Sequence, residues 1–229
     1  MVRVGQPAQR RGLERGADRG TAGTAAFEEG VGAVSTRLPL CSISGRFWRA
    51  IAADRVGQVL KVPAPHSAGR YHRPTQPALY ITLEADWAVI AIGRYLLADR
   101  NERVVVPLEL NRADVFDQRD LAACAALGIG PQASQVRWND ELAAGREPPS
   151  WLASDAARAA GADGIIDVSR GIAGGWHVCL FRWNTPDAPQ IRVAGDAQIC
   201  DYWAARDRWP APEGWALPPH LAGRQVLRN

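Results

Sequence analysis

The sequence predicts an α+β fold: mixed, partly antiparallel small sheets flanked by helices. Short β-branched or aromatic runs, ALYIT (78–82), VVVPLEL (104–110), ADGIIDVS (162–169) and WHVCLFRW (176–183), read as strands. Between them, 85–99 and 151–160 carry apolar residues at helical spacing. Strands and helices alternate irregularly, and neither GxGxxG nor GxxxxGK[ST] occurs, so a doubly wound nucleotide fold and a P-loop are not supported.

The elements follow in order. In 45–52 (GRFWRAIA), Phe47, Arg49 and Ile51 alternate with Trp48 and Ala50, as in a strand. Four prolines and a glycine in 62–77 forbid regular structure but allow a rigid crossing over a pocket. In 85–99, Trp87, Ile90, Ala91, Arg94 and Leu97 share a helical face, with Gly93 costing about 1 kcal/mol against alanine. Pro107 pushes the next strand toward an edge or a bulge. Asp117 precedes a helix closed by Gly128, and Ser150 is the expected N-cap of a helix closed by Gly161. In 176–183, His177, Cys179 and Phe181 fall on one face and read as core.

The chain has 229 residues, 47% hydrophobic and 22% charged, enough for one sizeable core. Its longest apolar run, 87–93, is far short of the roughly 20 residues of a membrane span. No leader-like segment opens the chain, and Cys41, Cys124, Cys179 and Cys200 lack metal-binding spacing. A soluble cytoplasmic protein with reduced thiols, no metal and no membrane partner is the expectation. Net charge is +3, and one lysine stands against 26 arginines. Without a broad basic face, direct nucleic-acid binding is not expected. Residues 1–40, poor in apolar periodicity, read as a flexible extension; 41–195 form the domain; 196–229, rich in Trp and Pro, read as a tail packing on it.

Candidate functional groups cluster near the proline-rich loop. Arginines 46, 49, 70 and 73 offer donor forks that match phosphate oxygens, although in an arginine-rich chain each is also readable as a solvated surface cation. Tyr71 and Tyr80 provide flat faces for a base or nicotinamide ring. Ser169 ends a buried strand before a glycine-bearing turn, but no GxSxG supports it as a nucleophile. His66 and His72 read as surface residues.

The blocks AGRYHRPTQPALYITLEADWAVIAIGRYL, VVVPLELNRADVFDQRDLAACAALGI and SWLASDAARAAGADGIIDVSRGIAGGWHVCLFRWNTP together resemble the RES domain, over roughly 45–195. That resemblance implies an ADP-ribosyltransferase-like fold and a toxin that consumes NAD or transfers its ADP-ribose. It also implies an Xre-like antitoxin partner and leaves homo-oligomerisation open. The family arginine maps to Arg70, its tyrosine to Tyr80 and its serine to Ser169, with Arg49 matching an arginine on the opening strand. The family glutamate maps to Ala91, or to Gly93 after a slip of two; neither is acidic. Cleaving the nicotinamide-ribose bond passes through an oxocarbenium-like state that a carboxylate stabilises. Glu84, or alternatively Asp86, is the expected substitute acid. Two readings follow: an NAD-processing toxin in which Arg49, Arg70, Tyr80 and Ser169 hold NAD, or an inactive relative that keeps the pocket as an interaction module.

Overall fold

The computed structural model describes residues 3–4, 40–98 and 101–214. Most of the 1–40 extension, Asp99 and Trp215 lie outside the described residues. Among those described, eight strands form one sheet: β1 (Arg3–Val4), β2 (Leu40–Ala52), β3 (Leu79–Thr82), β4 (Arg103–Asp117), β5 (Gly164–Val168), β6 (Trp176–Leu180), β7 (Ile191–Val193) and β8 (Gln198–Ile199). The order is β1-β2-β3-β6-β5-β4-β7, with β8 on β4. The α+β class therefore holds, with one sheet in place of several small ones.

The long strands β2 and β4 pair antiparallel from Leu40↔Phe116 to Ala52↔Arg103, with a register shift between Ile43 and Gly45. Because β4 also pairs with β5, in parallel, the set β2-β3-β6-β5-β4 closes on itself. Pro107 sits inside β4 opposite Trp48, not at an edge. A strand residue's nitrogen and carbonyl point the same way, and the Pro107 carbonyl accepts from Ala194 at 2.9 Å. The missing N–H thus faces the gap between β7, paired at Leu108–Leu110, and β8, paired at Val104–Val105.

Strand alternation sends apolar groups to both faces. Ile81, Ile166, Val178 and Leu180 join one fully buried cluster with Phe47 and Leu108, while Ile165, Cys179 and Phe181 join another with Tyr71 and Phe116. Each such side chain contributes about 1.5–3 kcal/mol of burial. The helices cover these clusters: α1 (Ala85–Ala91), α2 (Gly93–Ala98), α3 (Leu121–Ala126), α4 (Trp138–Ala143), α5 (Pro149–Ala159) and α6 (Tyr202–Arg208).

Three local expectations change. The helix over 85–99 breaks at Ile92 into α1 and α2, and Gly93, the first residue of α2, lies against the buried Tyr202 ring of α6. A Cβ at Gly93 would stand 2.3 Å from Tyr202 Cε2. Gly93→Ala is expected to cost about 1–3 kcal/mol by overpacking, read as a lower urea midpoint. The N-cap of α3 is Asp120, whose carboxylate accepts from the Ala122 and Ala123 N–H groups; Asp117 instead pairs with Arg119. Ser150 is not a cap but lies in the first turn of α5, after Pro148, and its hydroxyl donates to the Arg70 carbonyl at 2.5 Å.

The segment after Asp196 holds more regular structure than its composition suggests. Asp201 caps α6 through the Ala204 N–H, and Arg208 clasps Asp86 of α1 with two bonds of 2.6 and 2.7 Å. Trp209 stacks edge-on against Trp87.

Candidate active site

The site is organised by the loop before β3. Its backbone folds back through a Gly69↔His72 bridge, and a Cβ at Gly69 would meet the His72 ring at 2.4 Å and the Tyr80 hydroxyl at 2.8 Å. Only glycine permits that approach. The Tyr80 oxygen accepts from the Tyr71 N–H at 3.0 Å and lies 2.9 Å from His72 Nδ1. Its hydroxyl is therefore a tie between β3 and the loop. Far from being a surface residue, His72 is buried, and burial pushes its pKa down to about 4, so the ring is neutral. His66 is exposed.

Helix α5 fastens the same loop from the other side. Trp151 Nε1 donates to the Gly69 carbonyl at 2.8 Å, and Arg158 donates to the Pro77 carbonyl at 2.9 Å. Arg73 is held by Glu147 and Asp155 and lies over the Trp151 ring. It serves this brace and is already neutralised. Arg70 is thereby fixed at both its flanks, and its guanidinium reaches across to β5, donating to Asp167 Oδ2 at 3.2 Å.

Register assembles the rest. Tyr80, Cys179 and Ile165 lie in one row across β3, β6 and β5, and Thr82, His177 and Asp167 in the next, all on one face. Ser169 continues that face two residues beyond Asp167, since its N–H still reaches the Gly175 carbonyl at 2.8 Å. Its Oγ accepts from the Gly171 N–H at 3.3 Å, leaving the hydroxyl proton as a donor. Tyr80 and Ser169 stand two strands and two rows apart, roughly 16 Å between Cα atoms, with Asp167, Arg70 and His177 between them. They are two ends of a strip, not contacting partners.

Arg49, opposite Val106 in the β2–β4 ladder, comes in beside Cys179 and Tyr80. Its Nη1 is buried, and among the described residues none hydrogen-bonds it. Burial pushes the Arg49 pKa down to about 10, and that of Arg170, beside Ser169 and near Arg70, also to about 10. Burial likewise raises the Cys179 thiol to about 12, so it stays protonated. Two pairs of arginines thus line the strip: Arg49 and Arg158 beside Tyr80 and Cys179, with Asp155 also near Arg158, and Arg70 and Arg170 beside Asp167. The Arg49 Nη1, buried without a partner, is held at a cost unless an anion completes it.

The two acids expected to replace the family glutamate lie elsewhere. Glu84 is exposed at the N-terminus of α1 and makes no side-chain cap, its carbonyl serving Thr82 and Ala88. Asp86 is bound by Arg208 and by Trp209 Nε1 at 3.2 Å, which holds its carboxyl below the usual range. Ala91 is exposed, and Gly93 has no room for any side chain. Sequence reading does not single out Asp167, Arg158 or Arg170, and it reads His177 as core. Alternation through GIIDVS, which puts Asp167 on the face of Ser169, is the signal that identifies the first of them.

Among solved structures, the chain is similar to a chain of the crystal structure of the M.tuberculosis MbcT-MbcA toxin-antitoxin complex, at 16% identity and a TM-score of 0.48 over 72% of this chain and 88% of that one. No curated protein matches. The family model for the RES domain matches residues 41–207, which span β2 through α6 and every residue of the strip described above. By that match, the chain belongs to the RES domain family.

Proposed function

We propose that the chain is an NAD-processing toxin that cleaves the nicotinamide-ribose bond and releases or transfers ADP-ribose, and that an antitoxin of the Xre-like type restrains it in the cytoplasm. The observation that carries this reading is the buried, unpartnered Arg49 Nη1 on the same strip as the Arg70–Asp167 pair. A dinucleotide pyrophosphate carries the charge and the planar oxygen geometry that such forks accept. Arg49 and Arg70 hold that pyrophosphate, the Tyr80 ring borders the nicotinamide end, and the Ser169 hydroxyl donates to a ribose. The four free cysteines suit a reducing compartment, and no helix among the described residues is long and apolar enough to cross a membrane.

Release of nicotinamide from NAD by the purified chain tests this reading. Arg70→Ala and Ser169→Ala are each expected to slow release on the order of 100-fold while the far-ultraviolet spectrum stays unchanged. A second reading, an inactive relative that binds through the same strip, is favoured by the non-acidic Ala91 and Gly93. NAD binding without any nicotinamide release by the unaltered chain would establish it.

A further inference from the structure

We infer that Asp167 supplies the negative charge that the helix positions Ala91 and Gly93 lack, placing it from β5 beside the bond to be cleaved. This rests on the NAD-cleaving reading above. Asp167 is 2% exposed, and it is the carboxylate paired with Arg70, with Arg170 also near it. Its Oδ2 accepts from Arg70, the arginine assigned to the pyrophosphate. Across the ladder it faces His177, whose ring burial keeps neutral, and two residues on stands Ser169. An anion carried on a strand between the phosphate-binding and ribose-binding groups occupies the middle of the strip.

The electrostatics fit that placement. Burial raises the Asp167 pKa, and neither the Tyr71 phenol nor the Arg70 guanidinium offsets it fully. Its ionised form is under-compensated and gains from any further positive charge nearby. Such a charge moves toward it during the reaction. The bond between C1′ of the ribose and the nicotinamide nitrogen breaks, its electron pair leaves with nicotinamide, and the positive charge moves onto C1′ and the ring oxygen. Water then attacks C1′ and gives one proton to solvent, yielding ADP-ribose, nicotinamide and H⁺. A fixed, dry carboxylate beside the ribose favours the charge at C1′ and the ring oxygen over the same charge on the nicotinamide ring of the ground state.

Steady-state NAD cleavage by the full chain and by Asp167→Asn and Asp167→Glu tests the inference. Asparagine preserves shape and removes charge; it is expected to lower kcat on the order of 100-fold with KM within about threefold. Glutamate keeps the charge and is expected to recover at least about tenfold of that loss. If Asp167→Asn retains kcat within about threefold, or changes only KM, Asp167 is a strut for Arg70 and the inference is wrong. Unfolding of both variants, read by circular dichroism, assigns Asp167 to the core and equally overturns it. If the unaltered chain binds NAD but cleaves none, the NAD-cleaving reading itself has failed, an outcome distinct from an active parent with an active Asp167→Asn.

Discussion

Arg49→Met is expected to raise the stability of the protein by about 1–2 kcal/mol and to weaken NAD binding on the order of 100-fold. The two effects share one cause. A guanidinium nitrogen buried without a partner carries a desolvation cost, which the lowered Arg49 pKa reflects. Methionine fills similar space without that charge, so the ligand-free fold gains. The same change removes a charged fork from the pyrophosphate, where hydrogen bonds to ionised groups are strongest. Urea midpoints and NAD affinity of the two proteins, measured in one buffer, check both halves. A less stable Arg49→Met protein with unaltered NAD affinity would make the arginine a structural residue.

Acid is expected to unfold the protein well before its carboxylates titrate in bulk. His72 and His177 are neutral in the fold, with pKa values pushed down by burial from 6.5 to about 4 and about 3. The unfolded chain takes up both protons below pH 6.5 while the folded one does not. Their contribution is therefore complete above pH 6.5 and is lost as pH falls toward 4, at up to about 2.7 kcal/mol per pH unit for two protons. Asp167 acts in the opposite sense, because its raised pKa makes protonation easier in the fold and returns part of that loss. Asp86, held low by Arg208, contributes above the ordinary carboxylate range and weakens only below it. Urea midpoints at pH 7.5, 5.5 and 4.5 should fall steeply, and His177→Gln should flatten the slope by about half. A flat profile between pH 6.5 and 4.5 would mean that these rings are reached by water.

Local patterning made β3, β5 and β6 readable because each is a short apolar run bounded by turn residues, and the register between them then follows from their buried faces. It failed where distant contacts decide. The helix over 85–99 carries an unbroken helical pattern, yet it breaks at Ile92, next to a glycine packed on Tyr202, more than a hundred residues away. Helix α6 is hidden among tryptophans and prolines, yet it forms because Asp201 caps it and Tyr202 and Ala205 are buried. Arg49, Arg70, Tyr80 and Ser169 are candidates by residue type and by their places near the proline-rich loop and at the end of a buried strand, and family resemblance selects them from the other arginines and Tyr71. What resemblance did not supply was the role of each: Tyr80 spends its hydroxyl on the loop, and Asp86 serves α6. Asp167 went unnoticed because a lone aspartate in an apolar strand acquires meaning only once Arg70, 97 residues earlier in the chain, is laid beside it.

Calorimetric titration of NAD, ADP-ribose and nicotinamide riboside onto the unaltered chain and onto Arg49→Met separates recognition of the pyrophosphate from recognition of the ring. If the arginine cluster grips the diphosphate, NAD and ADP-ribose bind within about tenfold of each other, nicotinamide riboside binds at least about 100-fold more weakly, and Arg49→Met erases most of that difference. Nicotinamide riboside binding as tightly as NAD, or equal NAD affinity in both proteins, would contradict it.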